Sequence, residues 1–406
     1  MSREIYDLCI VGAGMYGSAA ARHASANPAF HVCLVGPSEP KEDQKQTAEI
    51  HAAHYDEGRI VHIAYTNPAM QVLVRNTIKR FRELENLSGM KFYHPVGTIV
   101  TAERDTCCLY DLLQGLETHG VSFIDMSDGE DLRKRFPFLH LDECDYPVFD
   151  DDGAGYINCR RIVEAQKKVA QLQGCHIVED IVDEVTDLMF GVHEVITKRR
   201  TKIKAKRVLL CTGAFTHFKK FRPLRRLKMV VNKETVVFLR IPYIEKIRLG
   251  SMPTLLMYRD GLADMPTKGA YILPPIQYPD GYWYLKIGYL GQMQNSELIS
   301  LEESKNWYNC DGDKEVLLNF SRFLIHLIPG LLVDEVSSQT CTSCDNPTDL
   351  PYIDRISPTV AIAVVGNGRG ATMCDEVGRL AAELCLTGRW DSQLPKRLFE
   401  ALFEDD

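Results

Sequence analysis

Short, mostly apolar runs at Leu8 to Val11, His31 to Val35, Arg207 to Leu210 and Thr359 to Val365 each lead into a glycine turn. Runs of that length bounded by glycine predict strands buried on both faces of a sheet. Helical spacing of apolar residues predicts helices at Pro68 to Leu87, Cys107 to His119, near Asn158 to Gln173, and at Ala371 to Leu386. Apolar–polar alternation at Glu234 to Arg240 and Tyr282 to Tyr289 predicts half-buried antiparallel strands. The β-rich His176 to Val185, the run ending at Gly213-Ala214 and the run after Thr359 read as returns to the sheet that Leu8 opens. One sheet therefore collects strands from the start, middle and end of the chain. The expected fold is α/β in two domains. A Rossmann-like nucleotide-binding domain would take 1–90, 150–220 and 340–406. A discontinuous substrate-binding domain, on a mixed or antiparallel sheet, would take 91–149 and 221–339.

Composition narrows the class. A chain of 406 residues, 45% hydrophobic, can bury enough core for two domains. The formal net charge of -8 argues against a nucleic-acid partner, because affinity there comes from neutralising phosphates. The basic clusters Lys219-Lys220 and Arg222 to Lys228 read as solvated or salt-bridged surface. No apolar run approaches the roughly 20 residues that span a bilayer, so no membrane partner is expected. Neither end carries a secretory or peroxisomal address. The thirteen cysteines, odd in number and scattered, read as reduced thiols. A cytoplasmic monomer is the expectation, with no metal.

Chemistry enters at Tyr6 to Ala24. There the first strand runs into Gly12, Gly14 and Gly17, and a helix of small residues follows. The first glycine makes a tight turn, the second lets backbone approach a pyrophosphate, and the third lets helix pack on strand. Phosphates then sit on the helix N-terminus, where free N–H groups point outward. Strand, loop and helix in that order predict a bound dinucleotide. An acidic residue usually ends the second strand of such units to grip ribose hydroxyls. This chain has Gly36 instead, which leaves Ser38 or Glu39 for that work.

Beyond the first motif, the chain resembles the glycine/D-amino-acid oxidase superfamily of FAD enzymes, most closely its monomeric sarcosine oxidase-like amine oxidases. The resemblance rests on Gly12, Gly14 and Gly17, then Gly58 to Tyr65, Asp152 to Ile157, Leu210 to Ala214 and Leu285 to Tyr289. It continues through Thr340-Cys341, Leu350 to Asp354, and the loop of Gly366, Asn367, Gly368, Arg369 and Gly370. These lie in the family's order and cover nearly the whole chain. The resemblance implies FAD, with Val182, Thr212, Gly213 and the 366–370 loop among the groups beside it. Physically, a helix N-terminus after that loop would stabilise the anion that reduced flavin becomes.

The resemblance assigns four further residues. Cys341 would form a thioether to the flavin; an inert thiol, or a redox or zinc-binding pair with Cys344, are the alternatives. Lys286 would stabilise the charge on O2 as it is reduced, against the plainer reading of a solvated lysine. Arg59 would stand beside the flavin, or simply pair with Asp56 or Glu57. Tyr271 would line the substrate pocket, or belong to the core. The family's substrate carboxylate is held by two cations, at positions that here carry His62 and Thr372. Ser343 and Leu290 replace a tyrosine and a histidine, and Arg369 could take over the anion. A clamp without its cations loses charge-assisted hydrogen bonds worth about 1.5–3 kcal/mol each. The expected activity is FAD-dependent oxidation of a secondary amine or N-substituted amino acid. Hydride would go to flavin N5, an imine would leave, and O2 would become hydrogen peroxide. A dehydrogenase of an amine or 2-hydroxy acid with another electron acceptor is the alternative.

Overall fold

The computed structural model describes residues 5–118, 120–188, 191–219, 221 and 224–404. The expected helix end at His119 and the basic residues Lys220 and Arg222 lie outside the described residues. Among those described, the strands form four sheets.

The apolar runs build a six-stranded sheet in the order His176–Val178, Val32–Val35, Leu8–Val11, Val208–Leu210, Val360–Val364, Tyr352–Arg355. All neighbours pair parallel except the last two. Every residue of Leu8–Val11, Val32–Val35 and Val208–Leu210 is buried, as unbroken apolar runs require. From Leu8–Val11 the chain crosses over to Val32–Val35 on one side, while Val208–Leu210 pairs on the other. That divergence opens a crevice beyond the carboxyl ends of the strands.

The crossover helix, Met15–Ser25, lies in close contact with Cys374–Thr387 and Cys159–Leu172. Small residues make this possible. A Cβ on Gly17 would lie 1.8 Å from the Gly12 carbonyl oxygen, and one on Gly378 would lie 2.5 Å from the Ala19 Cβ.

The alternating segments build an eight-stranded sheet in the order Glu335–Asp345, Val230–Ile241, Trp283–Tyr289, Gly269–Gln277, Thr254–Tyr258, Thr98–Glu103, Asp145–Asp150, Ile124–Asp125. It is mixed, because Thr254–Tyr258 and Thr98–Glu103 run parallel while the other pairs are antiparallel. Val237, Leu239, Leu285 and Ile287 on one face pack with Phe320 and Leu324 of the helix Lys314–Leu327. The strand Glu335–Asp345 pairs with Val230–Ile241 from end to end, so position 340 falls inside a continuous ladder.

Two local expectations are corrected. Residues 176–185 do not return to one sheet as a unit. His176–Val178 joins the six-stranded sheet, whereas Val182–Asp187 joins a four-stranded one with His193–Thr197, Lys202–Ala205 and Ile5–Tyr6. The helix expected from Ala371 begins at Cys374. Left-handed Val365, Asn367 and Gly368 wind the preceding loop into turns, with Arg369 N bonded to Gly366 O at 2.8 Å and Thr372 N to Arg369 O at 3.1 Å.

Candidate active site

A cavity of about 800 Å³ begins at the divergence of the parallel strands and ends against the eight-stranded sheet. Gly12, Gly14, Val182, Thr212 and Gly213 line it, as do Gly366, Asn367, Gly368, Arg369 and Gly370. From the far side come Arg59, His62, Tyr271, Cys341 and Ser343. Three expected site residues, Gly17, Ser38 and Lys286, are not on its wall.

The nucleotide end fits a pyrophosphate. Gly14 is the N-cap of Met15–Ser25 with no side-chain cap, and no acidic residue sits in the first turn. Its orphan N–H groups therefore keep the positive end of the helix open to an anion. Gly12 adopts φ +106°, and a Cβ there would lie 2.2 Å from the Cys211 carbonyl oxygen. Gly36 has a steric reason: a Cβ would lie 2.4 Å from Ala13 N. The structure places both expected substitutes off the cavity wall. Ser38 lies off the cavity wall, its carbonyl accepting from the Tyr55 hydroxyl at 3.2 Å. Glu39 is committed to Arg160 at 2.7 and 2.8 Å.

One face of the eight-stranded sheet gathers the reactive groups. Directly opposed strand residues share a face. The pairs Glu234–Cys341, Asn232–Ser343, Tyr271–Gly288 and Phe238–Lys286 set that face row by row. Tyr271 lies over Gly288, where a Cβ would fall 2.4 Å from its hydroxyl. Residues 341 and 344 differ by an odd number, so they point to opposite faces of their strand. That geometry excludes the Cys-x-x-Cys pair as a disulfide, and all thirteen cysteines are free thiols.

Behind this wall lies a buried charge cluster. Asp56 receives Lys286 Nζ and Arg59, and Tyr278 donates to its other oxygen at 2.7 Å. Lys286 also donates to the Gly58 carbonyl at 2.7 Å and is 1% exposed. Burial, reinforced by the Arg59 charge, pushes the Lys286 ammonium well below its usual range. Lys286 is therefore neither solvated nor on the cavity wall, and Asp56 stands at its ammonium. Arg59 fulfils its salt-bridge reading and also lines the cavity, with one guanidinium nitrogen 3.8 Å from Cys341 Sγ.

The expected clamp has no cation free. His62 is pushed down to about 3 by burial and then by Arg369, so it is neutral. It stacks on Tyr65 at 4.1 Å, and its Nδ1 has no partner. Thr372 is turned to the Arg369 carbonyl at 2.9 Å, and Arg369 itself pairs with Asp349. Sequence reasoning passed over Glu234, which lines the cavity and accepts from Ser343 Oγ at 2.8 Å. Burial, with Asp345 adding to it, holds its carboxyl up at about 8. The available signal was a lone acid in phase with the inward face of Val230–Ile241.

An anion cradle joined by one cavity to an aromatic, charge-lined chamber defines a nucleotide-cofactor oxidoreductase. The chain belongs to the DAO family of FAD dependent oxidoreductases, whose sequence model matches residues 7–384. Its cofactor is FAD. A monomeric sarcosine oxidase from Streptomyces avermitilis is 24% identical over 213 residues, and the match spans about half of each protein, 52% of this chain and 52% of that one. Among solved structures, NikD, described as an unusual amino acid oxidase essential for nikkomycin biosynthesis, has a TM-score of 0.75 at 17% identity, covering 99% of this chain and 100% of that chain. L-proline dehydrogenase from P. horikoshii has a TM-score of 0.75 at 16% identity, covering 98% and 97%. Glycine oxidase from Bacillus cereus has 0.69 at 15% identity, covering 99% of both. The two-domain flavoprotein fold is shared with these structures.

Proposed function

We propose that the protein oxidises the CH–NH bond of a secondary amine or N-substituted amino acid, as a monomer with O2 as electron acceptor. The single observation carrying this reading is the continuity of the cavity from the Gly12–Gly14 cradle to the face bearing Tyr271, Cys341 and Glu234. Gly12, Gly14 and the N-terminus of Met15–Ser25 would hold the pyrophosphate. Thr212, Gly213, residues 366–370 and Arg59 would flank the rest, and Cys341 would be the point of covalent attachment. When bound, FAD supplies a two-electron acceptor.

The chain's own groups do the remaining work. Tyr271, Leu256, Tyr258 and Leu290 line the chamber and would exclude water from the reacting position, where the oxidation needs the lone pair of the free amine. Arg59 keeps its charge at any working pH and stands beside Cys341, where it would stabilise negative charge. Domain roles follow, with the six-stranded sheet presenting FAD and the eight-stranded sheet presenting substrate.

One observation favours the dehydrogenase reading for the acceptor. Lys286, the cation assigned to oxygen, is held by Asp56 off the cavity wall. A single experiment addresses both halves of the proposal. The yellow protein is mixed anaerobically with a panel of secondary amines and N-methyl amino acids, and air is then admitted. Bleaching followed by rapid recolouring with peroxide is expected. Failure of the whole panel to bleach the flavin would refute the amine reading. Recolouring over many seconds without peroxide would replace oxidase by dehydrogenase.

A further inference from the structure

Charge in the chamber is unequally compensated. The cations on the cavity wall are each paired to a carboxylate: Arg59 to Asp56, Lys219 to Glu49, Lys268 to Asp260 and Arg369 to Asp349. Two carboxylates on the same wall, Glu234 and Asp345, have only neutral described partners. Ser343 Oγ lies 2.8 Å from Glu234 and 3.3 Å from Asp345, and Asn232 donates to Asp345 at 2.9 Å. Both carboxylates are half-buried on the chamber wall, and once the chamber fills, a carboxylate there without a counter-ion is costly, a cost a ligand cation would offset. Independently, His62 is 3% exposed, lines the same cavity, and leaves Nδ1 without a partner, as a site completed by a ligand would.

We propose that Glu234, positioned by Ser343 and backed by Asp345, binds the ammonium group of the substrate, whose class is a cationic amine without an α-carboxylate. This rests on the amine reading above and inverts the polarity of a carboxylate clamp. An α-carboxylate entering the chamber would meet Asp345, would leave Glu234 protonated, and would find no uncompensated cation among the described residues. An ammonium would find both carboxylates. On docking, Glu234 releases its proton to solvent and the cation takes that proton's place, so charge balances. Ammonium and carboxylate can then share one proton, which lets the nitrogen become the free base at the reacting position.

The groups facing Glu234 are Asp345 and Cys341 from one neighbouring strand, Tyr289 and Tyr271 across the sheet, and Arg59 from the strand Arg59–Val61. Burial drives both tyrosines far above neutrality, and Arg59 stays charged. Cation affinity should therefore rise as pH climbs from 6 through about 8 and level above that.

The test titrates the FAD-loaded protein with tetramethylammonium, whose charge is fixed, and with acetate, following calorimetric heat. Tetramethylammonium should bind, with the stated pH dependence, and acetate should not. Glu234→Gln keeps the side-chain shape and should weaken tetramethylammonium by about tenfold or more, as expected for losing a charge-assisted contact. In parallel, anaerobic reduction is compared for N-methylbutylamine and N-methylnorvaline, which differ only by the α-carboxylate. The amine should be preferred at low concentration, and Glu234→Gln should erase the preference. Acetate binding in place of tetramethylammonium, or preference for N-methylnorvaline, overturns the proposal. If neither compound bleaches the flavin but Glu234-dependent cation binding persists, the amine oxidation reading fails while cation recognition is supported. The comparison of ions on the unaltered protein needs no variant to fold.

Discussion

Replacing Asp375 with asparagine tests how the two glycine loops are held in register. Asp375 opens the helix Cys374–Thr387, just after the 366–370 loop, and is 1% exposed. Its carboxylate accepts from Arg22 at 2.6 Å, Arg80 at 2.5 Å and Gln166 at 2.8 Å, and His23 Nε2 lies 3.2 Å from it. Arg22 and His23 belong to Met15–Ser25, which carries the pyrophosphate cradle, so one side chain ties together both walls of the cofactor site. Asparagine matches the volume, so no cavity term enters. It has one acceptor oxygen in place of two, and it aims an NH2 at Arg22 or at Arg80, whose guanidinium groups only donate. Arg22, itself 5% exposed, would be left a buried cation without compensation. Breaking such a pair costs about 3–5 kcal/mol, a large share of a typical total of about 5–15 kcal/mol.

The assay is urea unfolding of Asp375→Asn and the unaltered protein, with and without FAD. The sign of the pH dependence is fixed by the direction of the shift. The surrounding cations hold the Asp375 carboxyl well below the usual carboxylate range against the opposing effect of burial. A depressed carboxylate contributes fully above its unfolded pKa, about 3.9, and loses that contribution as pH falls through the folded value. The deficit should therefore be flat between pH 5 and pH 8, and weakened FAD affinity should accompany it. A deficit below about 1 kcal/mol would refute the reasoning, and one that varied across that pH range would assign the effect to His23 instead.

Further outcomes follow from the site. Gly36→Glu, which restores the usual ribose-binding acid on paper, should abolish FAD retention, because its Cβ would fall 2.4 Å from Ala13 N; a yellow variant would show the loop to be compliant. Lys286→Met should slow reoxidation by oxygen at least about tenfold more than it slows reduction by substrate; stopped-flow measurement of both half-reactions decides, and equal slowing removes the oxygen role. Cys341→Ser should release the yellow colour into the supernatant on acid precipitation, whereas the unaltered protein should keep it in the pellet. Yellow supernatant from both would mean that FAD is bound without a thioether.

The unbroken apolar runs at 8–11, 32–35 and 208–210 announced a doubly covered parallel sheet, because burial on both faces leaves no polar position to interrupt them. The glycines at 12 and 17 answer a steric demand, because a Cβ would lie 2.2 Å from the Cys211 carbonyl oxygen at the first and 1.8 Å from the Gly12 carbonyl oxygen at the second. Less was legible where a residue's role depends on what faces it. Ser38 and Glu39 were read as ribose ligands from proximity in sequence, yet Arg160, over a hundred positions away, takes Glu39. Lys286 was read as a solvated or an oxygen-activating cation, and the loop carrying Asp56 decides that it is buried and ion-paired behind the cavity wall.

Local pattern, then, was enough for strand, turn and helix, since each reflects a period or a steric demand confined to a few neighbouring residues. Which charges are compensated was decided only by tertiary structure. Arg59 meets Cys341 and Glu234 meets Ser343 and Asp345 across segments distant in sequence. A carboxylate's partner, its burial and hence its protonation are properties of the assembled chamber, and no stretch of the chain carries them alone.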